Sequence, residues 1–159
     1  GELLVREMRS GFANLAEAVS GQARKSVFFM EWTAPLMGAG NWMPEIISYG
    51  GGDVVLGENG RHSPTVMWED IHAADPDVII VGPCGFDVGR AREELSTLTN
   101  GASWQSLRAV QEREVYIVNG NHFYNRPGPR LLESAQIIGE ILNPTCVPKI
   151  DNSERWQKW

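Results

Sequence analysis

The 159-residue chain is short of cysteine, histidine and positive charge, and it has no long apolar run. Its two cysteines, Cys84 and Cys146, stand far apart. A single pair makes no disulfide framework and leaves the redox compartment open. The three histidines, His62, His72 and His122, fall in no metal-ligand spacing. Neither HExxH nor CxxC occurs, so no metal motif is written into the sequence. No uninterrupted apolar stretch reaches the roughly 18 residues needed to span a bilayer. Lys and Arg number 14 against 20 Asp and Glu, a net charge of −6 with the signs interspersed. A phosphate-backbone binder carries a basic patch, so this balance argues against a nucleic-acid partner. Internal repeats and low-complexity tracts are absent too. The opening GELLVREMRSGFANL lacks a basic stretch followed by an apolar core, so it does not read as a signal peptide. It begins inside a helix-like pattern, as a piece of a longer protein would.

What is present suffices for one domain with a real core. Residues 2–20 carry Leu3, Leu4, Met8, Phe12, Leu15, Ala16 and Val19 at helical spacing with charges between. SVFFMEW (26–32) is an apolar run of strand formers, and TAPLMGAG (33–40) reads as a loop from its Pro and Gly. NWMPEIISYG (41–50) reads as a helix with Pro44 in its first turn and Gly50 as its stop. GGDVVLGENGRHSPT (51–65) reads as a loop around a very short strand, and VMWEDIHAADP (66–76) as a helix ended by Pro76. DVIIVGP (77–83) is a buried type of strand. Helices follow over 87–98 and 103–112, then the strand EVYIVNG (114–120) and a last helix over 128–144. From 145 on, no periodicity shows. Strands alternating with helices predict an α/β domain with a mostly parallel sheet.

Ligands of open α/β sheets bind beyond the carboxyl ends of the strands. The first exit carries Glu31 and Trp32 and leads to Asn41 and Trp42. The second carries Pro83, Cys84, Gly85 and Phe86, and the third runs from Asn119 through His122, Phe123, Tyr124 and Asn125 to Arg126. Each ring has two readings, a cap on the core or a wall for a ligand. Three aromatic exits at one end of the sheet favour a ligand with large apolar faces.

Other chemistry is weaker. Gly38-Ala39-Gly40 sits between a strand and a helix, but the dinucleotide fingerprint wants Gly or Ala where Met43 stands. Cys84 occupies a strand end where a nucleophile could sit, with His122 as the one histidine from another exit; a structural cysteine is the favoured reading. Glu69 and Asp70 open a short helix, where the helix dipole favours acids; an exposed acid there also suits a basic partner. In NHFYNRPGPRLLES (121–134), Pro129 suits a first helical position, which places the helix start at Gly128 and Pro129. Pro127 biases Arg126 toward extended backbone facing the cleft. Arg130 then falls inside the first turn, where a cation is disfavoured, and needs a separate explanation.

Three segments, EWTAPLMGAGNWMPEIISYGGG (31–52), SPTVMWEDIHAADPDVIIVGPCGF (63–86) and VYIVNGNHFYNRPGPRLLESAQIIGEILNP (115–144), together resemble the C-terminal lobe of ABC-transporter substrate-binding proteins of the cobalamin and iron-siderophore class. The nearest branch is described as cobalamin-binding. The resemblance implies a single three-layer α/β lobe preceded by part of a long connecting helix. It assigns 1–23 to the end of that helix, 24–144 to the C-terminal substrate-binding lobe and 145–159 to a tail. It implies an extracytoplasmic protein with no catalytic residues and no intrinsic cofactor. The transported ligand is cobalamin or a related corrinoid, with a ferric siderophore or haem as the alternative. An N-terminal lobe, absent from this chain, would cover the ligand's other face. Trp32 matches a cleft-lining stretch, and Ser63 stands where cobalamin-binding relatives can carry a ring against the corrin. The segment His122 to Arg126 matches a stretch of polar ligand contacts, Arg126 a ligand-contacting arginine, and Glu69 an acid that docks the membrane permease. On this reading Trp32, Trp42, Phe86, Phe123 and Tyr124 supply apolar faces, and Asn125 and Arg126 hydrogen-bond the ligand. A small α/β enzyme using Cys84 or His122 is the alternative from another class.

Overall fold

A computed structural model describes residues 1–159. In chain order the elements are α1 (Glu2–Val19), β1 (Lys25–Met30), β2 (Trp32–Thr33), β3 (Leu36–Met37), α2 (Met43–Tyr49), β4 (Gly52–Val54), α3 (Trp68–Ala74) and β5 (Val78–Val81). They continue with α4 (Val88–Ser96), α5 (Ala102–Gln105), α6 (Arg108–Gln111), β6 (Val115–Val118), α7 (Gly120–Phe123), α8 (Leu131–Leu142) and β7 (Trp156–Lys158). The main sheet runs β4-β1-β5-β6-β7. Its first four strands are parallel, with Val27 opposite both Val54 and Val78, and Ile80 opposite Tyr116. β7 closes one edge antiparallel to β6.

The apolar runs of β1, β5 and β6 are buried on both faces because helices cover both. Side chains alternate between two cores. Val27, Phe29, Val78, Ile80 and Val118 face α1, α2 and α8. Phe28, Met30, Ile79, Val81 and Ile117 face α3 to α6. This is the predicted three-layer α/β lobe with a mostly parallel sheet. No helix is long and apolar enough to cross a membrane. In α1 the helical stripe divides by position. Leu15 and Val19 are buried and Phe12 packs on the core, whereas Leu3 and Val5 remain 66% and 49% exposed.

Several expectations are corrected. The loop at 33–40 contains a two-stranded hairpin, with Trp32 opposite Met37. The helix expected over 103–112 is two short helices, because Leu107 adopts extended backbone between them while its side chain is buried. α8 begins at Leu131, not Gly128; the Leu131 amide donates to the Gly128 carbonyl in a turn that leaves Arg130 outside the helix as its cap. The tail supplies β7, anchored by a buried cluster. There Arg155 donates to both oxygens of Glu140 at 2.7 and 3.0 Å, and the Trp156 indole donates to Glu140 at 2.7 Å. A three-residue edge strand held by an ion pair carries no periodicity to read.

Candidate functional site

The sheet order reverses between β1 and β5, since the chain moves from β1 to one side for β4 and returns to the other side for β5. Open α/β sheets bind ligands in the crevice at such a switch point. A crevice of about 320 Å³ lies there, lined by Glu31, Trp32, Met37, Asn41, Ser63 and Cys84 among others. Glu31 leaves β1 and Cys84 follows β5, and the Cys84 amide donates to the Glu31 carbonyl at 3.2 Å. The Ser63 hydroxyl donates to one Glu31 carboxylate oxygen at 2.7 Å, and the Cys84 thiol approaches the other at 3.8 Å. One acid thus ties three chain segments together at the floor of the crevice. Ser63 reaches it because Gly40 has no side chain: a Cβ there would collide with the Ser63 backbone nitrogen. That close approach accounts for part of the Gly38-Ala39-Gly40 motif without any nucleotide.

Trp32 and Phe86 face each other across the two exits, ring centroids 5.4 Å apart and tilted by 53°. Both are half-buried. The Arg90 guanidinium lies over the Phe86 ring, 4.8 Å from its centroid. The Trp32 indole donates to the Ala34 carbonyl at 3.0 Å, which fixes its plane. Trp42 does not line this crevice. It packs against the core on the α8 side, and its indole N–H is buried without an acceptor.

The third exit behaves differently from expectation. Asn119 accepts from the His122 amide at 3.0 Å and starts the short α7. The helical turn points Phe123 and Tyr124 inward. Their exposures are 8% and 3%, Tyr124 packs on Phe29 at 5.4 Å, and its hydroxyl donates to the Ser134 carbonyl. These two rings belong to the core and present no face to a ligand. Burial also holds the Tyr124 phenol well above its ordinary range. His122 and Arg126 remain exposed, and Asn125 is half-buried with its amide nitrogen unpartnered. Arg126, Arg130 and His122 line a second pocket of about 460 Å³, with Pro127 and Pro129 also in its wall. Sequence reasoning missed Glu31 as a floor and separated Arg130 from Arg126. An acid directly after an apolar strand was the available signal for Glu31.

Partial burial, then the Glu31 charge and hydrogen bond, push the Cys84 thiol up to about 11. A thiol held protonated at neutral pH is the opposite of an activated nucleophile. His122 makes no contact with it. Glu69 is exposed in the first turn of α3, away from both pockets.

A doubly wound lobe with an aromatic crevice at its switch point has the layout of a ligand-binding scaffold. The chain belongs to the periplasmic binding protein family, whose description it matches over residues 1–121, a family of solute-binding proteins and not of enzymes. A comparison with curated proteins finds no match. Among solved structures, an ABC transporter substrate-binding protein from Listeria monocytogenes superimposes with a TM-score of 0.80 at 15% identity, covering 91% of this chain and 57% of that one. A periplasmic heme binding protein from Pseudomonas aeruginosa gives 0.70 at 18% identity, covering 94% and 54%. The periplasmic vitamin B12 binding protein BtuF of Vibrio cholerae gives 0.63 at 22% identity, covering 84% and 49%. At these identities the likeness is one of fold. The chain spans about half the length of the solved structures it matches.

Proposed function

We propose that this chain is the C-terminal lobe of an extracytoplasmic solute receptor that delivers a corrinoid, cobalamin or a relative, to an ABC permease. In this reading residues 1–23 are the end of a connecting helix, 24–144 the binding lobe and 145–159 a tail. A second lobe closes over the ligand's other face. The observation that carries the reading is the Trp32–Phe86 pair beside the Glu31 floor. The rings offer apolar area for a flat macrocycle. Each Glu31 oxygen keeps a lone pair beyond its present bond, so the crevice suits a ligand edged with amide N–H donors. A carboxylate edge would meet the Glu31 charge. Asn125, Arg126 and His122 supply polar contacts at the rim. Glu69 docks the permease, where an exposed acid governs partner choice and encounter rate.

Haem is the second reading, and the arginine-lined pocket favours it, since guanidinium groups suit carboxylates. Isothermal titration of cyanocobalamin and of haemin into the chain separates the two. The expected result is saturable micromolar binding of cyanocobalamin, weakened about fivefold by Trp32→Ala, the loss of an aromatic face contributing roughly 1 kcal/mol. A chain that takes up no corrinoid at high micromolar concentration refutes the ligand assignment.

A further inference from the structure

We infer that the crevice at the switch point is a site for a positively charged group, with the Glu31 carboxylate as its counter-charge and the Trp32 ring as its wall. The inference rests on the ligand-binding reading above. It adds the sign of the charge that the ligand presents to the first strand exit.

Glu31 is half-buried, yet it enters none of the chain's ion pairs. Its carboxylate is held by neutral donors alone, the Ser63 hydroxyl at 2.7 Å on one oxygen and the Cys84 thiol at 3.8 Å from the other. The backbone of Glu31 is fixed too. Its amide donates to the Met37 carbonyl at 2.9 Å, and its carbonyl accepts from the Cys84 amide at 3.2 Å. A carboxylate drawn partly out of water without a counter-ion costs free energy until a partner meets it. Folding therefore sets a preorganised negative charge at the floor of a concave site and leaves its partner to come from outside.

The walls suit a cation. Neither Lys nor Arg lines the crevice. His62 does, and its Nδ1–H donates to the Ser63 carbonyl at 2.9 Å, so that N–H is already engaged. Asn41 and Met37 add neutral side chains. Trp32 lies in the wall, and indole is the best of the aromatic faces for a cation. Its neighbour Phe86, 5.4 Å away, already carries the Arg90 guanidinium 4.8 Å from its centroid. The Glu31 charge is felt inside the crevice: after burial, it is the next cause that pushes the Cys84 thiol up to about 11. A cation seated here meets a charge and a ring face together, and the chain's net charge of −6 favours its approach. A corrinoid supplies such a charge at its metal, because cobalt(III) with a water in one axial position leaves the macrocycle positive.

The test uses the whole chain and begins with a probe independent of the corrinoid. Benzyltrimethylammonium and the neutral benzyl alcohol are titrated at constant ionic strength while the Trp32 indole N–H resonance is followed by NMR. The cation is expected to saturate and to bind roughly fivefold more tightly than the alcohol, the size of an exposed cation–π contact. Glu31→Gln keeps an acceptor for Ser63 and is expected to abolish that preference, whereas Glu31→Asp keeps part of it. Equal binding of the two probes, or a preference that survives Glu31→Gln, overturns the inference. The corrinoid arm compares one corrin ring at two charges, aquacyanocobinamide with a single positive charge and dicyanocobinamide with none. Tighter binding of the charged form, lost in Glu31→Gln, assigns the cobalt-centred charge to Glu31 and supports the inference. Uptake of both forms with equal affinity overturns the inference and leaves the corrinoid reading standing. A saturable, Glu31-dependent response to the ammonium probe with no corrinoid uptake upholds the cation site and refutes the corrinoid.

Discussion

Glu140→Ala is expected to be the most damaging single truncation of a charged side chain in this lobe. The Glu140 side chain is 1% exposed and its partner Arg155 is 4% exposed. Glu140 accepts three hydrogen bonds, two from Arg155 and one from the Trp156 indole. Truncation leaves a buried guanidinium with Glu133 as its remaining counter-charge and an indole N–H with no acceptor. Breaking a buried pair in this way costs about 3–5 kcal/mol. Glu133 lies 3.4 Å from the Arg155 Nε and is 41% exposed, so it offsets a part, and the expected cost is near 3 kcal/mol. For a domain of this size that corresponds to a fall in Tm of roughly 6–12 °C. Urea unfolding followed by tryptophan fluorescence measures it, because release of β7 exposes Trp156. Arg155→Ala alone should cost a similar amount. The double variant removes both charges and should cost clearly less than the sum of the two. A loss below about 1 kcal/mol for Glu140→Ala, or strict additivity in the double variant, refutes the claim that this pair anchors the C-terminal strand.

Two further outcomes are expected. Cys84 should react with a thiol reagent about 100-fold more slowly than a free thiol at pH 8, since a two-unit rise in pKa removes that share of thiolate; Glu31→Gln should speed the reaction, and labelling at the free-thiol rate would restore the nucleophile reading. Asp77 accepts from the Ser26 amide at 2.8 Å and from Arg108 at 3.0 Å, and chiefly the Ser26 backbone bond, then Arg108, hold its carboxyl below the ordinary 3.8. A depressed carboxyl contributes stability above its unfolded pKa and loses it as pH falls through the lower folded value. Asp77→Asn should therefore destabilise the chain at neutral pH, with the difference from wild type shrinking below about pH 4 in acid-unfolding curves; a constant difference across that range would show that the charge contributes nothing.

Much of the fold is legible along the chain. DVIIVGP and EVYIVNG read as buried strands because continuous β-branched runs have few other uses, and both prove central. The final helix reads correctly through its apolar period, but its start does not. Gly128 and Pro129 satisfy the chemistry of a helix start, and the turn they form ends one residue later at Arg130. The strand at 156–158 is illegible for another reason. Its support is a charge pair with a residue on α8, and no local pattern announces a partner 15 residues away. At the site, Trp32 and Phe86 are legible as aromatic residues at strand exits, because exits depend only on strand ends. Phe123 and Tyr124 misread because a four-residue helix, capped by Asn119, rotates both rings into the core.

By itself the sequence determined the alternation of strands and helices, the three exits and their aromatic cargo, because periodicity and turn chemistry act over a few residues. Tertiary structure alone decided the strand order, and with it the switch point that brings Glu31, Ser63 and Cys84 to one floor. It also decided which rings face out and that Arg126 and Arg130 share a pocket. Those outcomes depend on which segments pack against each other at long range, and a pattern of near neighbours does not encode that.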